Sequence, residues 1–209
     1  MARTMQHWNG NQVCVIDTET TGLDSHWHEV IQICILPLDS SFMPRTDVVP
    51  FYVNLKPTNP ERADPAALKI NGLKLSEIAI SGHDKEKAKD LLEAWVRTLR
   101  LPTTKWGTYK KIIPLGQNYG FDKGFIQAWL GVDEYDQIFD YHHRDTMSTA
   151  LYLNDRAGMH GDRVPFPKVD LGYLCSQLKI SRERGHDSLQ DCIVTAKVYR
   201  QMVAQGLLG

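Results

Sequence analysis

Residues 13–22 read VCVIDTETTG. Val13, Cys14, Val15 and Ile16 have the composition of a buried strand, and Asp17 and Glu19 follow where that run ends. Side chains two apart on a strand share a face, so the two carboxylates stand close together if both positions are extended. Like charges held that close require a cation. The plain alternative ends the strand at Asp17 and leaves Glu19 solvated in the Thr20-Thr21-Gly22 turn, and D-x-E alone does not decide between the two.

Outward from this stretch, apolar runs at 30–36 and 48–55 read as two more strands. Turn formers such as Gly22, Asp24, Pro37, Asp39 and Pro44 separate the three, which suggests an antiparallel meander. Helical patterns follow at 65–70 and, charged and amphipathic, at 85–99. Residues 112–115 are a short strand candidate that leads through GQNYG into a helix with Phe121, Phe125 and Trp129 at four-residue spacing. A further strand is expected at 138–141, and helices near 145–153, 170–178 and 188–203. Strands first, then alternation with helices, predicts an α/β domain with a mixed sheet covered by helices. Residues 156–168 contain Gly158, Gly161, Pro165 and Pro167 and read as a long functional loop.

The chain has 209 residues and a formal net charge of -1, which fits one domain over 12–209 preceded by an N-terminal extension, 1–11. Near-neutrality provides no global pull toward nucleic acid, so such binding must come from a local patch or from bound cations. Cys14, Cys34, Cys175 and Cys192 lack C-x-x-C spacing and sit among apolar residues, as reduced core cysteines do, so a cytoplasmic setting is expected. The N-terminus has no apolar signal core, and no run approaches the length that spans a bilayer, so no membrane association is expected.

Two later sites repeat the acidic theme. Asn118 and Asp122 stand four apart at the start of a helix, where Asn118 could cap and Asp122 could complement the positive helix end. In GHDSLQDCIVTAKVY, His186 precedes Asp191 by five residues, and Ser188-x-x-Asp191 matches a capping box. Leu189, Ile193, Ala196, Met202 and Val203 form the expected core stripe of that helix, with Asp191 off it. Two other signals carry nothing. His143-Arg144-Asp145 imitates a kinase catalytic loop without its glycine-rich partner, and His142 with His143 lacks companions at metal-ligand spacing. Asp145 is expected to cap the next helix.

In order and setting, DTETTG, QNYGFD and HDSLQD resemble the three motifs of the DEDD family of 3′-5′ exonucleases, in its DEDDh (DnaQ-like) branch. That family includes the epsilon subunit of DNA polymerase III and ribonuclease T. The resemblance extends over nearly the whole chain and implies an RNase H-like fold, a mixed five-stranded sheet flanked by helices. It matches Asp17, Glu19, Asp122 and Asp191 to the four metal-binding acids and His186 to the catalytic histidine. It matches Thr20, Thr21, Leu23, Asn118 and Phe121 to positions that bind substrate. Asp187 stands where the tyrosine branch would need Tyr. The chain departs from the pattern at Ile70-Asn71-Gly72-Leu73, where a histidine is usual, and at Gln32 and Cys34, where an acid and a small residue are usual.

The resemblance implies hydrolysis of single-stranded DNA from its 3′ end to 5′-mononucleotides. Carboxylate oxygens suit hard cations, and four acids formally balance two divalent ions, Mg²⁺ or Mn²⁺. His186, with a side chain that titrates near neutrality, is suited to take the proton of the attacking water. Arg156, Arg163, Lys168, Arg182 and Arg184 are either phosphate contacts or solvated surface charge. DNA is favoured over RNA as the substrate. The alternatives are an exoribonuclease that trims RNA 3′ ends and a polymerase-associated proofreading subunit; the short stretch after the last helix favours a stand-alone enzyme.

Overall fold

The computed structural model describes residues 11–182 and 187–206, with side chains of the last helix described to residue 204. At its centre lies β1 (Gln12–Thr20), which pairs antiparallel with β2 (Val30–Pro37), as β2 does with β3 (Phe51–Asn54). On its other side β1 pairs in parallel with β4 (Ile112–Gly116), and β4 with the two-residue β5 (Arg144–Asp145). The order is β3-β2-β1-β4-β5. This is the mixed sheet, meander plus parallel strands, that the RNase H-like resemblance implied.

Alternation along β1 assigns its side chains to two layers. Cys14 and Ile16 join Ile33, Ile35 and Ile112 beneath α3 (Lys85–Thr98), α4 (Tyr119–Leu130) and α5 (Val132–Ile138). Val13 and Val15 join Cys34, Leu36, Ile113 and Leu115 against Cys192, Ala196 and Tyr199 of α8 (Ser188–Gly206). A third cluster packs α6 (Thr146–His160) and α7 (Leu171–Leu178) on Val194, Val198 and Met202. The last helix is therefore buried on two sides. The expected stripe is too narrow: Leu189, Ile193 and Val203 are only partly buried, while Cys192, Val194 and Val198 are core. All four cysteines are buried and free.

The chain departs from the expected elements in three places. The strand expected at 138–141 is reduced to one bridge. Ile138 still belongs to α5, which buries Tyr135, and only Phe139, extended at the helix end, pairs in parallel with Ile112, so the edge strand falls later, at β5. The expected loop over 156–168 starts late, because α6 continues through Gly158 and stops at Gly161, whose left-handed conformation (φ 74°) closes the helix. Between β3 and α3, a 3₁₀ turn (Pro60–Arg62) and α2 (Leu75–Ser81) join the expected α1 (Pro65–Asn71). Among the described residues, no helix is long and apolar enough to cross a membrane.

Candidate active site

The site forms at the carboxyl ends of the parallel strands, where open α/β sheets place their ligands. Asp17 and Glu19 continue the Val13, Val15 face of β1 and so project toward α8. There they meet Asp191: each of the three residues has a carboxylate oxygen within 4.8 Å of the others'. Thr18, between the two acids, points to the opposite layer, toward α4. Its N–H and hydroxyl both donate to Asp122 Oδ1, at 2.9 and 2.7 Å. One strand end thus gathers acids from the helices on both faces of the sheet.

Two neighbouring carboxylates position the helices that carry Asp122 and Asp191. Asn118 occupies the cap position of α4 in a left-handed conformation (φ 60°), and its side chain makes no capping bond. The orphan N–H of Tyr119 donates instead to Asp145 Oδ2 at 2.5 Å. Asp145 Oδ1 accepts from Met147 and Ser148, so Asp145 caps α6 as expected and serves α4 as well.

Ser188 is not the cap of α8. Asp187 Oδ1 accepts from the Leu189 and Gln190 N–H groups, both at 3.1 Å. Ser188 is drawn inward instead, because its N–H and hydroxyl donate to Gln32 Oε1 at 3.2 and 2.9 Å. Gln32 is buried, lies directly across from Glu19 and donates to Asn54 Oδ1. The start of α8 is tied in this way to both β2 and β3.

The electrostatics show what this arrangement lacks. Burial, then the charges of Asp122, Glu19 and Asp191, push Asp17 well above the usual carboxylate range. Burial, then Asp191, Asp122 and Asp187, push Glu19 up to about 8, with Arg182 pulling the other way. Burial lifts Asp122 to about 7 against its hydrogen bonds from Thr18. Positive charge reaches the cluster from Arg182, whose Nε and Nη2 grip the two oxygens of Asp191 at 3.0 and 2.9 Å. Arg182 is therefore neither a solvated surface charge nor a ready phosphate contact here, and one guanidinium does not neutralise four acids.

The residues fit a divalent cation. The donors are oxygens only, three converge within 4.8 Å, and the crowded charges are relieved by binding one. Asp122 lies outside that group of three but close enough to raise Asp17 and Glu19.

The other expected site residues are less gathered. Thr20 and Thr21 are buried and shape the turn, with Thr20 Oγ1 donating to the Gly22 carbonyl at 2.6 Å and Thr21 Oγ1 accepting from Glu29 N–H at 2.9 Å. Leu23 projects from that turn, 79% exposed, whereas Phe121 is partly buried on the core edge and packs on Phe125. His186 lies outside the described residues, as do Arg184 and all of the expected N-terminal extension except Asn11.

Sequence reasoning missed Thr18, Gln32 and the Arg182–Asp191 pair. It also missed the work of Asn71, which is buried and spans the departure at 70–73. Its amide donates to the Thr20 carbonyl at 3.1 Å and its Oδ1 accepts from Leu73 N–H, so α1 is fastened to the end of β1. The signal for Gln32 and Asn71 was present, since both are polar residues at which the sequence departs from the motif pattern it resembles.

Residues 14–103, which include Asp17 and Glu19, match the RNase T family model, described as exonuclease. The DNA polymerase III subunit epsilon of Haemophilus influenzae is 27% identical over 202 residues, covering 93% of this chain and 68% of that protein. Exonuclease I from Methylocaldum szegediense shares the fold with a TM-score of 0.70 at 20% identity, covering 93% of this chain and 40% of that one. Escherichia coli exonuclease I in complex with a dT13 oligonucleotide does so with a TM-score of 0.66 at 20% identity, covering 95% and 42%. The chain therefore spans about two fifths of the length of these exonuclease I structures. The chain is thus similar to the exonuclease family model over residues 14–103, and to the polymerase subunit and the exonuclease I fold over 93% of its length.

Proposed function

We propose that this chain is a metal-dependent 3′-5′ exonuclease that hydrolyses single-stranded DNA from its 3′ end to 5′-mononucleotides. The observation that carries the reading is the approach of Asp17, Glu19 and Asp191 to within 4.8 Å at the end of β1. A relative that is a DNA polymerase subunit, and a fold neighbour captured with dT13, support DNA as the substrate.

Asp17, Glu19, Asp122 and Asp191 hold two divalent ions, Mg²⁺ or Mn²⁺, in this reading. Such ions supply an activated water and the positive charge that stabilises the leaving 3′ oxygen. His186 accepts the proton of that water, a task suited to a group that titrates near neutrality. Leu23 and Phe121 flank the terminal base, Thr20 and Thr21 line the sugar, and Asn118 borders the pocket at the start of α4. A frayed 3′ nucleotide fits such a pocket, whereas a paired end must first unstack, at a cost of a few kcal/mol.

The test sets end-labelled DNA and RNA of equal sequence side by side, in Mg²⁺ and in excess chelator. Mononucleotide release from DNA in Mg²⁺ alone is expected. Faster release from RNA would make the chain an exoribonuclease, and full hydrolysis in chelator would remove the metal from the mechanism.

A further inference from the structure

Asp191 offers its two oxygens to Arg182 in a fork, Nε to Oδ1 at 3.0 Å and Nη2 to Oδ2 at 2.9 Å. This is the bidentate geometry in which a guanidinium binds a carboxylate most strongly. The pair is sheltered, with the Asp191 side chain 6% and the Arg182 side chain 23% exposed. The guanidinium also acts beyond its partner: its charge opposes the upward push on Glu19, and the charge of Asp17 in turn favours the cationic form of Arg182. Arg182 thus stands where a divalent cation bound by Asp17, Glu19 and Asp191 needs an oxygen of the same carboxylate.

Building on the metal site proposed above, we propose that Arg182 is a built-in counter-ion that competes with the divalent cation for Asp191. Without metal it stabilises the acid cluster. With metal, the cation takes an oxygen of Asp191, and repulsion between the two positive charges loosens the fork. Arg182 is a positioning residue in this scheme, acting through Asp191.

Titration calorimetry with Mn²⁺ alone, on the full chain without nucleic acid, tests the competition. Arg182→Gln is expected to bind Mn²⁺ about tenfold more tightly than wild type, the equivalent of roughly 1.4 kcal/mol. Arg182→Lys, which keeps the charge but loses the fork, should fall between them. The same proteins melted in chelator should show Arg182→Gln less stable than wild type, with the gap closing at saturating Mn²⁺. A merely structural role would leave the gap equal in both conditions and Mn²⁺ affinity unchanged, and that pair of results overturns the proposal. Absence of Mn²⁺ binding in wild type and both variants would overturn the metal site itself, and this inference with it.

Discussion

Asp122 joins a structural bond to an uncomfortable charge. Its Oδ1 accepts two hydrogen bonds from Thr18, and burial lifts it to about 7. Asp122→Asn retains an oxygen for Thr18 while removing the charge, so the variant should fold and melt no lower than wild type without metal. Turnover should fall by more than about 10²-fold, the scale on which loss of one electrostatic stabiliser acts; a melt and a rate on the same preparation check both. His186→Ala should lower turnover by about 10²–10⁴-fold with little change in DNA affinity, the usual range for a general acid or base, and an unchanged rate would assign the proton to another group. The acids were legible because D-x-E and the later motifs lie within short windows of sequence. Thr18, Gln32 and Arg182 were not, because their partners stand 104, 156 and 9 residues away and depend on strand register and helix placement.

The helices that carry Asp122 and Asp191 are aimed by polar groups on other elements. Gln32 joins β2 to β3 and to the start of α8 through Asn54 and Ser188. Gln32→Leu leaves the buried N–H and hydroxyl of Ser188 without that acceptor, which should cost about 1–3 kcal/mol in a denaturant melt. It should also lower activity, whereas Gln32→Glu, which keeps an acceptor oxygen, should retain more of the activity. Equal activity in the two variants would separate Gln32 from the placement of α8. The strands 13–16, 30–36 and 112–115 were legible because each is an apolar run bounded by turn formers. The stretch 138–141 misled because a short apolar run has no periodicity of its own until Tyr135 is counted with it, and β5 has only two residues from which to be read. The capping box at Ser188 failed by one residue because Asp187 competes for the same helix N–H groups.

For the whole molecule, the acid cluster couples stability to pH and to metal. Glu19 and Asp122 have folded values near 8 and 7 against ordinary values of 4.5 and 3.8, so the folded state holds their protons more tightly than the unfolded chain does. Stability from this source is fully present below about pH 4 and is lost as pH rises through 7 and 8. In chelator the melting temperature should therefore fall between pH 5 and 8 from this contribution, and saturating Mg²⁺ or Mn²⁺ should reduce the fall; parallel curves with and without metal would show that the acids do not bind it. The resemblance made the fold legible from three motifs, and the order β3-β2-β1-β4-β5 brings the end of β1 together with acids from α4 and α8. Directional hydrolysis at a chain end by these acids is checked with a 5′-labelled single-stranded DNA, incubated in Mg²⁺ beside a circular single strand and beside the Asp17→Asn variant. A ladder that shortens from the 3′ end, an intact circle and no products with the variant are expected; a circle cut as fast as the linear strand, or a variant as active as wild type, would overturn the proposed activity.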